Sequence, residues 1–222
     1  MNKIVTVNQL TKTLGTVRAV DNVSFDIERG EFIAIQGPSG SGKTTLLGLL
    51  AGLEKADEGN VLIDGKELTA MTEDELALFR RYNVGFVFQS FNLISTLNVV
   101  ENIALPLFPE RMSKEEMFER AQKTAKDIGL SERLKHYPNQ LSGGEQQRVA
   151  IARSLINEPK VIFADEPTGN LDTKTGEQII GLLRKLNMET RQTFVMVTHD
   201  DKIAKESNRI IRLADGRIIN EN

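Results

Sequence analysis

Residues 37–45 read Gly37-Pro38-Ser39-Gly40-Ser41-Gly42-Lys43-Thr44-Thr45, with the G-x-x-x-x-G-K-[ST] spacing of a phosphate-binding loop. Such a loop needs a strand before it and a helix after it. Glu31-Phe32-Ile33-Ala34-Ile35-Gln36 supplies an apolar strand, and Thr45-Leu46-Leu47-Gly48-Leu49-Leu50-Ala51 supplies a helix. The glycines let the backbone wrap phosphate oxygens with its N–H groups turned inward, and the helix presents its positive end to the anion. Lys43 then reaches the β- and γ-phosphates, and the Thr44 hydroxyl ligates Mg²⁺. This segment restricts the chain to an α/β fold that holds a nucleoside triphosphate with magnesium.

The flanking sequence agrees. Ile4–Val7 and Val17–Ile27 alternate as antiparallel strands, and Asn60–Gly65 ends in an Asp-Gly hairpin turn. Val84–Phe88 is a short buried strand that stops at Gln89. Helical spacing marks Thr72–Tyr82, Ser113–Gly129 and part of Leu134–Ile156. Strands return at Lys160–Ala164 and Thr193–Val197 around a helix over Thr175–Glu189, and Asp215-Gly216 turns a closing hairpin. The alternation predicts a mostly parallel α/β core interrupted by a helical insertion at about 91–158.

Composition narrows the partners. Against 28 Lys+Arg stand 31 Asp+Glu, a formal net charge of -3, which argues against nucleic acid. With no cysteine there is no disulfide, thiolate metal site or cysteine chemistry. Met1–Leu10 carries no secretory signal, and no apolar run approaches the ~18 residues of a membrane helix. The expectation is a soluble, cytoplasmic polypeptide whose membrane role comes through a partner.

Further residues carry chemistry. Val161-Ile162-Phe163-Ala164-Asp165-Glu166 is an apolar strand ending in two carboxylates. Asp165 suits a magnesium ligand, and Glu166 suits the group that orients and polarises an attacking water. Beside a phosphate loop this reading outweighs two solvated acids at a strand end. Gln89 ends a strand within reach of Mg²⁺ or water. His199 ends another, where an imidazole can hydrogen-bond a γ-phosphate; His136 reads as a surface residue in a polar loop. Leu141-Ser142-Gly143-Gly144-Glu145 contains a capping box, Ser142-x-x-Glu145, that starts a helix. Its two glycines admit a close anion. With one phosphate cradle already complete, a second anion-ready helix end suggests a nucleotide shared between two copies.

Together these residues resemble the ATP-binding cassette ATPases along the whole chain. Gly37–Thr45 matches the family's Walker A loop, Gln89 its Q-loop glutamine, and Leu141–Glu145 its signature motif. Val161–Asp165 matches Walker B, Glu166 the catalytic glutamate, Gly169-Asn170-Leu171-Asp172 the D-loop and His199 the switch histidine. The resemblance implies one cassette over residues 1–222. Its P-loop NTPase, RecA-like core with an antiparallel β-subdomain would occupy about 1–90 and 159–222, and an inserted helical subdomain about 91–158. It implies head-to-tail closure of two copies on two ATP molecules. Each ATP would lie between Walker A of one copy and Ser142, Gly143, Gly144 and Glu145 of the other, with Asp172 communicating across the interface. Lys43, Gln89, Glu166 and His199 would serve catalysis, and Thr44, Gln89 and Asp165 would hold Mg²⁺.

Val84–Ile94, Glu101–Leu107 and Asp165–Asp172 resemble more closely the subfamily of macrolide exporters and lipoprotein-releasing transporters. That subfamily acts on a membrane permease with a large extracytoplasmic domain, often doing mechanical work there. Its cassettes sit on the inner face of the membrane. Phe91, Leu93, Ile94, Leu97, Leu105, Leu107 and Phe108 either line a groove for a permease helix or form the core of the helical lobe. Two positions depart from the family pattern: Leu14 stands where an aromatic usually stacks on adenine, and Glu145 where glutamine is usual. Powering a transporter and gating a membrane protein as a regulatory clamp both fit these motifs. A soluble DNA-repair or translation cassette fits less well, since no long insertion lies between Lys43 and Ser142. A small-molecule kinase would leave Leu141–Glu145 and Glu166 without a role.

Overall fold

The computed structural model describes residues 3–221; Met1, Asn2 and Asn222 lie outside them. Strands β1 (Lys3–Leu14) and β2 (Val17–Glu28) form a long hairpin, followed by β3 (Phe32–Gln36) and helix α1 (Lys43–Leu50). Next come β4 (Glu58–Ile63), β5 (Lys66–Glu67), α2 (Glu73–Asn83) and β6 (Val84–Val87). The helical stretch holds α3 (Val99–Ala104), α4 (Lys114–Asp127) and α5 (Gly143–Leu155). The chain returns through β7 (Val161–Asp165), α6 (Thr173–Thr190), β8 (Thr193–Thr198), α7 (Asp201–Ala204), β9 (Arg209–Ala214) and β10 (Arg217–Glu221).

Two sheets result. One is antiparallel, ordered β2-β1-β4-β5; the other is ordered β10-β9-β3-β8-β7-β6 and is parallel apart from β10. Strands β3, β7 and β8 read as almost unbroken apolar runs because both of their faces are covered. Successive side chains enter opposite cores. Ile33, Ile35, Phe163 and Val195 pack with α1 and the antiparallel sheet, whereas Phe32, Ala34, Ile162 and Met196 pack against α3 to α6. Parallel register sets Gln36 beside Thr198 and Asp165 beside Val197. The ends of β3, β7 and β8 therefore open onto one edge, where ligands bind in open α/β sheets.

Both Asp-Gly turns have positive φ at both residues (Asp64 50°, Gly65 75°; Asp215 46°, Gly216 76°), which matches the twist of tight hairpins. The β1 strand runs past Val7, where the sequence pattern stops, because Gln9 takes φ 47° at a register shift. This bulge returns Leu10 to the core. Two short helices, α3 and α7, go beyond the sequence pattern. Six residues are too few to show periodicity, but Asn98 and Glu101 cap α3 reciprocally: Asn98 N–H donates to Glu101 at 2.8 Å, and Glu101 N–H to Asn98 Oδ1 at 3.0 Å. Of the apolar residues between Phe91 and Phe108, Leu107 is core and Leu93 packs against it. Ile94 and Phe108 are exposed at 45% and 51%, so the set is not wholly core. Among the described residues no helix is long and apolar enough to cross a membrane.

Candidate nucleotide site

The loop after β3 is shaped by glycine. Gly40 and Gly42 have φ of 78° and 96°, and a Cβ on Gly42 would run into the Ala19 carbonyl. Gly42→Ala is therefore expected to destabilise the fold by about 2–4 kcal/mol and to weaken nucleotide binding with it. Thermal unfolding and a nucleotide titration check this; a wild-type melting temperature would contradict it. The closing hairpin braces the loop from outside, Gly216 N–H donating to the Ser41 carbonyl at 3.1 Å.

Lys43 opens α1 and is buried, its Nζ donating to the Gly37 and Pro38 carbonyls at 2.9 and 2.8 Å. Thr44 Oγ1 donates to Asp165 Oδ1 at 3.3 Å, bringing the loop's hydroxyl to the end of β7. Burial pushes the Asp165 carboxyl above its usual range and the Glu166 charge adds to this, against the opposing pull of Thr44 and Lys43. Ser41 Oγ is buried with no partner among the described residues.

Glu166 adopts φ 42°, a strained conformation for a residue with a side chain. Its N–H donates to the Val197 carbonyl at 3.1 Å, and its carbonyl accepts from Gly169 N–H at 2.9 Å. Its Oε2 stands 2.7 Å from His199 Nδ1. A cleft of about 850 Å³ brings Glu166 and His199 together with Pro38, Ser39, Gly40, Gly42, Lys43, Thr44 and Thr45, and its far wall is Leu14, Val17 and Ala19.

Other expected residues lie elsewhere. The exposed Gln89 side chain lies outside the cleft lining, packed so closely on Gly169 that a Cβ there would meet its amide. Asp172 caps α6, accepting from Thr175 N–H at 3.0 Å and from its hydroxyl at 2.6 Å, contacts that hold the carboxyl below its usual range. Asp172 also joins Glu166 and His199 around an adjoining hollow of about 190 Å³. Ser142 caps α5, Glu145 Oε2 accepting from its N–H at 2.8 Å and its hydroxyl at 2.7 Å. Gly143 and Gly144 fit closely against Leu171 and Thr175, which sets the first turns of α5 and α6 side by side. None of Ser142, Gly143, Gly144 and Glu145 lines the cleft of their own chain.

Three supporting residues escaped the sequence reading. Arg133 Nε lies 2.7 Å from Glu145 Oε1. Burial works to raise the Glu145 carboxyl, but the Ser142 contacts and Arg133 outweigh it and hold the carboxyl low. The glutamate at this position thus has its own cation. Arg153, half-buried, donates to the Phe91 and Asn92 carbonyls at 2.8 and 2.6 Å, fixing two consecutive residues of positive φ just after Gln89. Gln36 donates to Asp201 and accepts from Arg212 at 3.3 Å, which ties the base of the phosphate loop to the segment after His199. Only Gln36, a polar end to an apolar strand, carried a local signal.

A glycine cradle on a parallel sheet edge, with lysine, threonine and two carboxylates converging, defines a P-loop nucleoside triphosphatase. The family model described as "ABC transporter" matches residues 20–169. The chain belongs to this family, as one of its ATP-binding, ATP-hydrolysing subunits. It superposes on the MJ0796 cassette of Methanocaldococcus jannaschii, in a dimeric post-hydrolysis state bound to ADP and Pi. The TM-score is 0.89 at 48% identity, over 98% of this chain and 97% of that one. The chain is 45% identical to the lipoprotein-releasing system ATP-binding protein LolD of Cytophaga hutchinsonii, over 99% and 100% of the two chains. It is 48% identical to the macrolide export ATP-binding/permease protein MacB of Bdellovibrio bacteriovorus, over 91% of this chain and 31% of that protein.

Proposed function

We propose that two copies of this chain close head to tail over two ATP molecules and drive a separate membrane permease that has a large extracytoplasmic domain. The observation that carries this reading is the split site. The cleft gathers Lys43, Thr44, Glu166 and His199, with Asp165 held beside it by Thr44, while Ser142–Glu145 form a capped, glycine-lined helix end outside its lining. A second copy supplies what each cleft lacks. The dimeric MJ0796 cassette with ADP and Pi supports this arrangement, and the LolD and MacB relatives support a permease partner.

Within that frame the residues take these roles. The N–H groups of residues 39–45 and the Lys43 ammonium hold the phosphates, and Ser142, Gly143, Gly144 and Glu145 of the other copy close over them. Glu166 accepts a proton from water as the water oxygen bonds the γ-phosphorus. The bond to the bridging oxygen breaks and ADP leaves with the electron pair. His199 holds Glu166 in place and senses the γ-phosphate. Gln89 swings toward the nucleotide on closure, and Asp172 reads the neighbouring site.

The donor set fits Mg²⁺. Thr44 and Asp165 offer hard oxygens side by side, and among the described residues no three His, Cys, Asp or Glu side chains cluster tightly enough to hold a metal without the phosphates. Bound there, Mg²⁺ would neutralise charge on the phosphates, with Gln89 as a further ligand. A groove of about 390 Å³ between Leu53 and Phe86 on one side and Pro106, Pro109 and Arg153 on the other fits a permease helix. In this reading it lies between the core lobe (about 1–90 and 159–222) and the helical lobe (about 91–158), and a permease seated there would hold the chain on the inner face of the cell membrane.

Leu14 and Val17 take the place of an adenine platform. Leu14→Tyr is expected to tighten ATP about three- to tenfold through stacking. Titration with ATP and GTP checks this; unchanged affinities would remove Leu14 from base recognition. The function itself is tested by affinity purification of tagged Glu166→Gln from detergent-solubilised native membranes with ATP, followed by mass spectrometry. Recovery of a permease with a large extracytoplasmic domain is expected. Soluble partners or nucleic acid alone would contradict it.

A further inference from the structure

Helix α5 carries Ser142, Gly143 and Gly144 at its first turn, and just over one turn further along carries Gln147. Gln147 is completely buried, and its Nε2 donates to the Pro167 carbonyl at 2.6 Å. Its Oε1 is buried with no partner among the described residues. A half-used amide in a core is costly, and a methionine of similar reach would fill the space without that cost. Filling the core therefore does not account for this side chain. The one bond it makes ends on the carbonyl of the residue directly after Glu166, which is itself held at φ 42°.

We propose that Gln147 is a positioning residue for Glu166. The anchors of Glu166 to Val197 and His199 come from β8 and the residue after it. The Gln147–Pro167 bond adds an anchor from α5, the helix whose first turn meets the other copy's nucleotide. The left-handed turn at Glu166 is fixed from both sides, so its carboxylate stays aimed into the cleft. Seating a nucleotide on α5 of one chain thereby steadies that chain's own Glu166. This rests on Glu166 acting as the base, as argued above.

The test compares wild type, Gln147→Met, Gln147→Asn and Glu166→Gln, reading kcat and KM for ATP hydrolysis, Kd for a fluorescent ATP analogue, and melting temperature. Gln147→Met removes the donor at similar length; Gln147→Asn keeps an amide but draws it back by one methylene. The expected result for both is a kcat lowered about ten- to a hundredfold, as for misplacement of a reacting group by about 1 Å, with KM and Kd within about twofold of wild type. An unchanged kcat would overturn the proposal, as would a lower kcat and melting temperature together with a raised Kd. If Gln147→Met does not fold, the same split in Gln147→Asn decides. Failure of both to fold assigns Gln147 to the core and also overturns it. Glu166→Gln separates the two levels: its inactivity beside a fully active Gln147→Met rejects the role of Gln147 alone, whereas its normal turnover rejects Glu166 as the base.

Discussion

Glu166→Gln is expected to lower ATP turnover by about 10²–10⁴-fold while leaving ATP affinity near wild type. The amide keeps the size of the side chain and can still hydrogen-bond His199, whose Nδ1 lies 2.7 Å from the carboxylate. It cannot take a proton from water. Nothing in the phosphate cradle changes, because Lys43, Thr44 and the loop N–H groups come from different elements. Since hydrolysis is what reopens the closed state, ATP then holds the variant as a dimer. Phosphate release, a fluorescent-nucleotide titration and light scattering read the three quantities separately. Turnover within tenfold of wild type would move the base role away from Glu166, with His199 the next group in the cleft.

Lys43→Ala has the other large effect, on binding. Lys43 Nζ is buried and spends its hydrogen bonds on the Gly37 and Pro38 carbonyls, so the ammonium is held at the loop mouth before nucleotide arrives. Exchanging those carbonyls for phosphate oxygens replaces neutral acceptors with charged ones. Charge-assisted bonds of this kind are worth about 1.5–3 kcal/mol each. Losing them is expected to raise the Kd for ATP on the order of 10²–10³-fold. The variant also leaves two carbonyls without their donor, so its melting temperature is read beside the titration. Retained affinity in a folded Lys43→Ala would contradict the cradle.

The parts of the fold and site that the sequence made legible are local in the chain. The phosphate loop, the paired carboxylates ending β7, and the Ser142–Glu145 cap each occupy a few consecutive residues whose spacing fixes their backbone geometry. Parallel strands also announce themselves, because burial on both faces requires continuous apolar runs such as Phe32–Ile35 and Val161–Ala164. Contacts between distant segments left no such trace. Arg133 with Glu145, Arg153 with the Phe91 and Asn92 carbonyls, and Gln147 with Pro167 depend on how α5 is laid against its neighbours. An arginine or glutamine inside a helix looks alike whether it faces water or a buried carbonyl. The second half of β1 was hidden for another reason: a bulge at Gln9 breaks the two-residue alternation while the strand continues. The reach of Gln89 is a matter of conformation, since in this structure its amide rests on Gly169.

A cross-link between copies tests the shared site most directly. The chain has no cysteine, so introduced thiols are unambiguous. Ser39 in the phosphate loop and Ser142 at the cap of α5 are both exposed. Chains carrying Ser39→Cys and chains carrying Ser142→Cys, each in the Glu166→Gln background, are mixed and oxidised with a short bifunctional thiol reagent. A covalent dimer that needs both variants and ATP, and fails to form with ADP, is the predicted result. A mixture that stays monomeric with ATP, or cross-links equally without nucleotide, would contradict closure of two copies over ATP.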